Sequence, residues 1–125
     1  MSDPMNESTT AASEQWIERF LAHLHTERRM SIHTRSAYAH DLNEFFKWQD
    51  ANGIAHWQQI TNHHIRQFAA SEHRRGIGPR SIQRRLSTLR SFFKFLMREG
   101  QLKSNPALDV RAPKAIKKLP ATLDA

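Results

Sequence analysis

Apolar residues recur every three or four positions in four stretches of this sequence, which is the spacing of one face of an α-helix. The first stretch predicts a helix over residues 13–28 and the second a helix over residues 32–50. Ser31 or His33 could cap the start of the second helix. The apolar face of the first helix consists of Trp16, Ile17, Phe20, Leu21 and Leu24, and that of the second of Tyr38, Leu42, Phe45 and Phe46.

Two further helices follow, over residues 62–75 and 79–99. Thr61 is a suitable N-cap for the third helix, Pro79 suits the first turn of the fourth, and Gly100 stands where a left-handed cap would end it. The fourth helix has the longest apolar stripe, formed by Ile82, Leu86, Leu89, Phe92, Phe93, Leu96 and Met97. Four amphipathic helices without a strand pattern predict an all-α bundle.

The remaining segments predict the domain boundaries. Residues 1–12 are polar and are expected to be disordered, while residues 13–108 form the helical domain. Within it, residues 54–60 form a loop that brings Trp57 into the core. Residues 109–125 contain two prolines and four basic residues without a helical period, so we expect an exposed linker that leads into a further domain.

Composition excludes several classes of function. The chain has 125 residues and no cysteine, which rules out disulfides and thiolate metal sites and is compatible with the cytoplasm. The eight histidines lack metal-ligand spacing, since neighbours such as His63 and His64 diverge on a helix, so no metal or cofactor is predicted. Neither a nucleophile–base pair nor a phosphate-binding glycine loop is visible. No apolar run is long enough for a membrane span, and the N-terminus does not resemble a secretory signal.

The charge is strongly uneven. The net charge is +7, yet residues 1–50 carry five Lys and Arg against eight Asp and Glu, and residues 51–125 carry fourteen against four. Residues 73–98 contain eight Lys and Arg and no acid. Such a field attracts polyanions, of which nucleic acid is the usual one. The alternative is a helical protein-interaction module whose basic face binds an acidic partner.

The basic residues of the fourth helix lie opposite its apolar stripe. An α-helix fits the major groove of B-DNA, where arginine can bind guanine or a phosphate. Ser81, at the start of the helix, is well placed for a phosphate. A solvated face would normally mix Glu with Lys, and the absence of acid favours DNA. The polar face consists of Arg80, Gln83, Arg84, Ser87, Ser91, Lys94 and Arg98.

The start of the second helix offers a second candidate surface. Residues 31–37 contain small side chains, hydroxyls and Arg35, and both Ser36 and His40 point away from the apolar face. Small polar residues would let the backbone approach a groove closely. Ser and Thr at a helix start are also the usual N-caps, so this pattern alone leaves both interpretations open.

Three strings resemble the Xer-type tyrosine recombinases. Ser31-x-His33-Thr34-x-x-x-Tyr38-x-x-Asp41-Leu42, followed by Phe45-Phe46, resembles their second helix. Arg80-Ser81-Ile82-x-x-Arg85-Leu86-Ser87-x-Leu89-Arg90-Ser91-Phe92-Phe93-x-Phe95-Leu96 resembles their fourth. Leu102-Lys103-x-Asn105-Pro106, then Ala112-Pro113-Lys114 and Leu119-Pro120, resemble the exit into their interdomain linker. Trp57-Gln58-Gln59 and the Ala-Pro-Lys string are more similar to the XerC branch than to the XerD branch.

The resemblance implies a four- to five-helix orthogonal bundle, a core-binding domain that forms one half of a C-shaped clamp on DNA. In the related phage recombinase Cre, the second and fourth helices of this domain enter the major groove. We carry these contact positions over to the matching motif positions of this sequence and add the polar face of the fourth helix. Together they predict one set of DNA-binding residues. The set is Thr34, Arg35, Ser36, Ala37, His40, Arg80, Ser81, Gln83, Arg84, Ser87 and Lys94.

The resemblance also implies what this chain should not do. The family cleaves and rejoins DNA with an Arg-Lys-His-Arg set and a tyrosine nucleophile in a second domain, and none of these can be assigned here. Tyr38 lies on an apolar helix face and is expected to be structural. The implied partners are a duplex recombination half-site, a sister recombinase of XerD type in a heterotetramer, and a DNA translocase that regulates it. The implied process is the resolution of chromosome dimers at cell division.

Overall fold

The computed structural model describes the backbone of residues 4–27 and 29–112 and the side chains of residues 14–26 and 29–112. Its helices are α1 (Pro4–Glu27), α2 (Ile32–Ala51), α3 (Asn62–Arg74) and α4 (Pro79–Arg98), with a 3-10 turn at Trp57–Gln59 between α2 and α3. No strand occurs within the described ranges. The predicted all-α bundle is therefore confirmed.

The helices begin and end where the local capping signals lie. The Ser31 side chain accepts a hydrogen bond from the Thr34 backbone N–H, and Thr61 accepts one from the backbone N–H of His64. Gly100 has a φ of +77°, a left-handed conformation that glycine adopts without the penalty of a Cβ atom. These caps satisfy backbone groups that have no partner inside the helix.

The first helix starts earlier than the polar N-terminus suggested. It begins at Pro4, whereas residues 1–12 were expected to be disordered and the helix to begin at residue 13. Proline suits the first turn of a helix, and Glu7, Ala11 and Ala12 favour helix formation. The helix thus starts nine residues before the predicted position, while the disorder expected for residues 1–12 stays a prediction. Residues 1–3 lie outside the described residues.

Aromatic rings fill the centre of the bundle. Phe45 of α2 is fully buried, and its ring contacts those of Phe68 and Phe93 edge to face, with centroids 5.0 and 6.1 Å away. Trp57 is buried beside Phe92, at a centroid distance of 5.0 Å. The 3-10 turn thus brings Trp57 into the core, as its position between the helices predicted.

Two further aromatic residues, one on α2 and one on α4, pack against α1. Tyr38 is partly buried, and its ring stacks on Phe20 of α1 with centroids 6.2 Å apart. Phe95 lies toward the polar side of α4 but is only 8% exposed, because α1 covers it with Trp16, Phe20 and His23. Both side chains therefore stabilise the contact of α1 with its neighbours.

The segment after α4 packs against the bundle further than predicted. Ala107 and Val110 are buried and Ala112 packs against the core, whereas the exposed linker was expected to begin at residue 109. The Arg90 side chain holds this segment by donating to the Val110 carbonyl at 3.2 Å. Within the proline-containing sequence after residue 108, Val110 and Ala112 are apolar, and the bundle buries them at least partly. Residues 113–125 of the predicted linker lie outside the described residues.

Candidate nucleic-acid interface

The two helices predicted to contact DNA pack side by side. Asp41 of α2 contacts Arg84 and Thr88 of α4, and four residues later Phe45 contacts Phe93. Because the contacts advance in the same sense along both helices, their first turns lie toward the same end of the bundle. This arrangement brings together two short stretches that are more than forty residues apart in sequence.

Most of the predicted residues are accessible at that end. On α2, Thr34, Ser36 and His40 are exposed, and Arg35 and Ala37 are partly buried. On α4, Arg80, Gln83 and Arg84 are exposed, and Ser81 and Ser87 are partly buried. We call these ten residues the basic end. It combines cations, hydroxyl groups and small side chains, which are the groups that hold phosphates and read bases.

Lys94 lies apart from this group. It is ten residues beyond Arg84, which corresponds to about 15 Å along a helix. There it lines an open cleft of about 240 Å³ together with Phe20 and His23 of α1 and Leu108 of the C-terminal segment. The structure therefore divides the predicted set into the basic end and one distant lysine.

Arg84 is paired with an acid that its own helix does not supply. Its Nε and Nη2 atoms donate to the two carboxylate oxygens of Asp41 at 3.0 and 2.7 Å, although the arginine side chain remains 48% exposed. The hydrogen bond to Asp41 raises the pKa of the Arg84 guanidinium against the opposing effect of burial. The expectation that this face of α4 lacks a neutralising acid was wrong, because it considered only residues 73–98.

A second ion pair beneath the basic end is almost completely buried. Arg85, whose side chain is 8% exposed, donates to Glu72 of α3, and its Nε lies 3.6 Å from the Asp41 carboxylate. Arg75 donates to the other oxygen of Glu72 at 2.7 Å. A buried charge is tolerated only with such partners. The network connects α2, α3 and α4 inside the bundle.

Sequence reasoning assigned no role to these buried charges, yet a signal was present. Asp41 falls in helical phase with Tyr38 and Leu42, on the otherwise apolar face of α2. Glu72 and Arg85 fall in the same way on the inward faces of α3 and α4. A charge at a core position requires a counter-charge from another helix, and three such positions predict a network.

The C-terminal segment covers part of the polar face of α4. The Arg90 guanidinium donates to Ser87 at 2.7 Å as well as to Val110, and the Gln83 side chain accepts from the Ala112 backbone N–H at 3.3 Å. The segment thus runs back along α4 toward its N-terminus. Gln83 and Ser87 are engaged within the domain, and the chain at Ala112 lies beside the basic end.

Other kinds of site find little support in the described part of the chain. It contains no cluster of three or more His, Asp or Glu side chains that could bind a metal ion. Among its helices, none combines the length and the apolar character that crossing a membrane requires.

Comparison with known proteins points to one family. A family profile described as "Phage integrase, N-terminal SAM-like domain" matches residues 17–100. The proteins named "Tyrosine recombinase XerC" from Alcanivorax borkumensis and from Xanthomonas campestris pv. campestris (strain B100) are 49% and 46% identical over 88% and 87% of this chain. That of Xylella fastidiosa (strain M23) is 41% identical over 87%. These matches cover 35%, 34% and 37% of the respective relatives, so the chain spans about a third of their length. No solved structure matches it.

Proposed function

Because this chain belongs to the family of phage integrase N-terminal SAM-like domains, we propose that it is the DNA-binding domain of a site-specific tyrosine recombinase of XerC type. The observation that carries the proposal is the basic end, where the first turns of α2 and α4 expose cations and hydroxyls side by side. The domain binds the major groove of a recombination half-site and does not itself cleave DNA.

The two helices have different tasks in this proposal. At the start of α2, the small side chains of Ser36 and Ala37 let the helix approach the groove, and Thr34 and His40 supply polar contacts. At the start of α4, the N-cap is Gly78, which offers no side-chain cap to the first turn. The backbone N–H groups there can bind a phosphate that Arg80 and Ser81 also contact. Arg84 reads a base and Lys94, further along, contacts only the DNA backbone.

The activity of the whole protein is part of the proposal: the relatives are named tyrosine recombinases, and the process and partners are those that the resemblance of the helix motifs implies. It cleaves and rejoins DNA with a second domain, together with a sister recombinase of XerD type in a heterotetramer, under control of a DNA translocase. Resolution of chromosome dimers at cell division would place it in the cytoplasm. The course of residues 105–112 supports a second domain that acts on the same DNA. Ala112 lies beside Gln83, so a domain that follows it would start next to the bound DNA.

A second candidate function is a protein-interaction module that binds an acidic partner. The cleft near Lys94 favours it, because Arg98 and Lys94 surround an apolar floor that includes Phe20 and the highly exposed Leu108. An acidic peptide with apolar side chains would fit this cleft. Salt-sensitive duplex binding with a preference for one sequence supports the first function, and binding only to an acidic protein supports the second.

We expect the isolated chain to bind duplex DNA weakly and with a steep dependence on salt. If the Lys and Arg side chains of residues 73–98 neutralise about four to six phosphates, the logarithm of affinity should fall against the logarithm of salt concentration with a slope of roughly −4 to −5. Fluorescence anisotropy of a labelled duplex at several salt concentrations measures this slope. A slope near zero would contradict the electrostatic mechanism and with it the proposed function.

Arg84→Ala and Lys94→Ala should affect DNA binding in different ways. Arg84→Ala is expected to cost about 1–3 kcal/mol of binding free energy and to relax preference at one base pair. Lys94→Ala should weaken binding to all DNA sequences alike and reduce the magnitude of the salt slope by about 1. The measurement is binding to a preferred and a scrambled duplex, after circular dichroism has shown that both variants fold. Equal losses on the two duplexes for both variants would refute the distinction.

A further inference from the structure

We propose that Asp41 determines the sequence specificity of this domain, although it is buried and cannot touch DNA. It acts as a positioning residue that fixes the guanidinium of Arg84 and at the same time cancels its charge. This inference rests on the proposed DNA-binding function and deepens it. It concerns how the domain distinguishes its target from other duplexes.

The geometry of the pair supports the positioning role. Both carboxylate oxygens of Asp41 accept from Arg84, and one of them also accepts from the Thr88 hydroxyl at 3.0 Å. Asp41 is 0% exposed, so its orientation is set by packing, and Thr88 is equally buried. A long, half-exposed arginine would otherwise sample many rotamers. The two parallel hydrogen bonds hold its planar group in one orientation before DNA arrives.

The charge of the pair supports the second half of the proposal. Affinity for any duplex, whatever its sequence, depends on the number of phosphates neutralised by cations. Arg84 with Asp41 carries no net charge, so it adds little to this sequence-independent attraction. It still offers N–H donors whose direction suits one base edge. An arginine paired in this way contributes more to discrimination than to general affinity.

This mechanism predicts effects of opposite sign in one variant. Asp41→Asn keeps the size of the side chain but leaves Arg84 mobile and fully charged. Affinity for a scrambled duplex should rise by about three- to eightfold at 0.1 M salt, with a salt slope steeper by about 0.9. Discrimination against the scrambled duplex should fall by about tenfold, within the range that one bidentate base contact supplies. A residue needed only for folding would lower affinity for both duplexes.

Glu72→Gln is the matched control. Glu72 is also a buried carboxylate paired with an α4 arginine, but that arginine is Arg85, which is 8% exposed and does not reach the surface. Glu72→Gln should lower the free energy of unfolding without changing the discrimination between the selected and the scrambled duplex. Thr88→Val is a second variant. It removes the hydroxyl that donates to Asp41 but keeps the charges of Asp41 and Arg84. It should reduce discrimination by about threefold, a fraction of one bidentate contact, and leave the scrambled-duplex affinity and its salt slope unchanged.

The experiment uses the 125-residue chain and two duplexes. One duplex is selected by the wild-type chain from a random-sequence pool, and the other has the same composition in scrambled order. Anisotropy titrations at several salt concentrations give affinity, slope and discrimination for each variant, and thermal unfolding gives stability. If Asp41→Asn does not fold, the proposal is tested by the discrimination of Thr88→Val alone.

The outcomes separate this inference from the proposed function. If the wild-type chain selects no sequence, the DNA-binding function itself fails. If the wild-type chain discriminates but Asp41→Asn and Thr88→Val discriminate equally well, only the role of Asp41 is overturned. The role is also overturned if Asp41→Asn binds the scrambled duplex more weakly than wild type, or if Glu72→Gln loses as much discrimination as Asp41→Asn. The predicted rise in scrambled binding with loss of discrimination supports it.

Discussion

Arg85→Ala should lower the free energy of unfolding by about 3–5 kcal/mol, because it leaves a buried carboxylate without its main counter-charge. Glu72 is 1% exposed and relies on Arg85 and on the more exposed Arg75. The Arg85 guanidinium also lies 3.6 Å from the Asp41 carboxylate, so its loss affects both buried acids. The expected cost is a large part of the 5–15 kcal/mol that typically stabilises a domain. Chemical denaturation monitored by circular dichroism measures it.

Two further variants test the reason for this loss. Arg98→Ala removes an arginine of the same helix whose side chain is 63% exposed and 3.9 Å from its neighbour Glu99, so it should cost less than about 1 kcal/mol. Combining Arg85→Met with Glu72→Leu removes both charges and should recover most of the stability, because a well-packed apolar pair can replace a buried ion pair. If Arg85→Ala costs no more than Arg98→Ala, the buried network does not stabilise the fold.

Phe45→Ala should also cost about 3–5 kcal/mol, because it leaves a cavity at the centre of the aromatic core. The Phe45 ring is fully buried and contacts the rings of four residues that come from α2, the 3-10 turn, α3 and α4. These residues are Trp48, Trp57, Phe68 and Phe93. The loss should appear as a lower denaturation midpoint in urea, with folding retained at low temperature.

Phe46→Ala is the control for this cavity. Phe46 is the next residue on α2 and has the same side chain, but it is only partly buried at the edge of the core. Its removal opens the surface rather than a cavity, so the loss should be clearly smaller. Equal losses for the two variants would contradict the central position of Phe45. Unchanged DNA binding by the folded fraction of either variant would agree with a role confined to packing.

The sequence by itself determined the helices, their caps and much of the core. Ser31, Thr61 and Gly100 act within one turn of their own position, and the spacing of Leu86, Leu89 and Phe93 depends only on the helical period. These are local properties, so the chain carries them wherever its helices pack. The resemblance to recombinases was readable for the same reason, because its motifs are runs within single helices.

The tertiary structure alone decided which charges meet. Along the chain, residues 73–98 contain no acid, but in space Asp41 and Glu72 arrive from α2 and α3 and pair with Arg84 and Arg85. The charge of a surface depends on neighbours across the bundle, and no count along one helix includes them. The burial of Val110 and the cleft that α1 and the C-terminal segment form beside Lys94 were decided in the same way. Each of these features depends on which segment packs against which helix, and that is decided by contacts between residues far apart in the sequence.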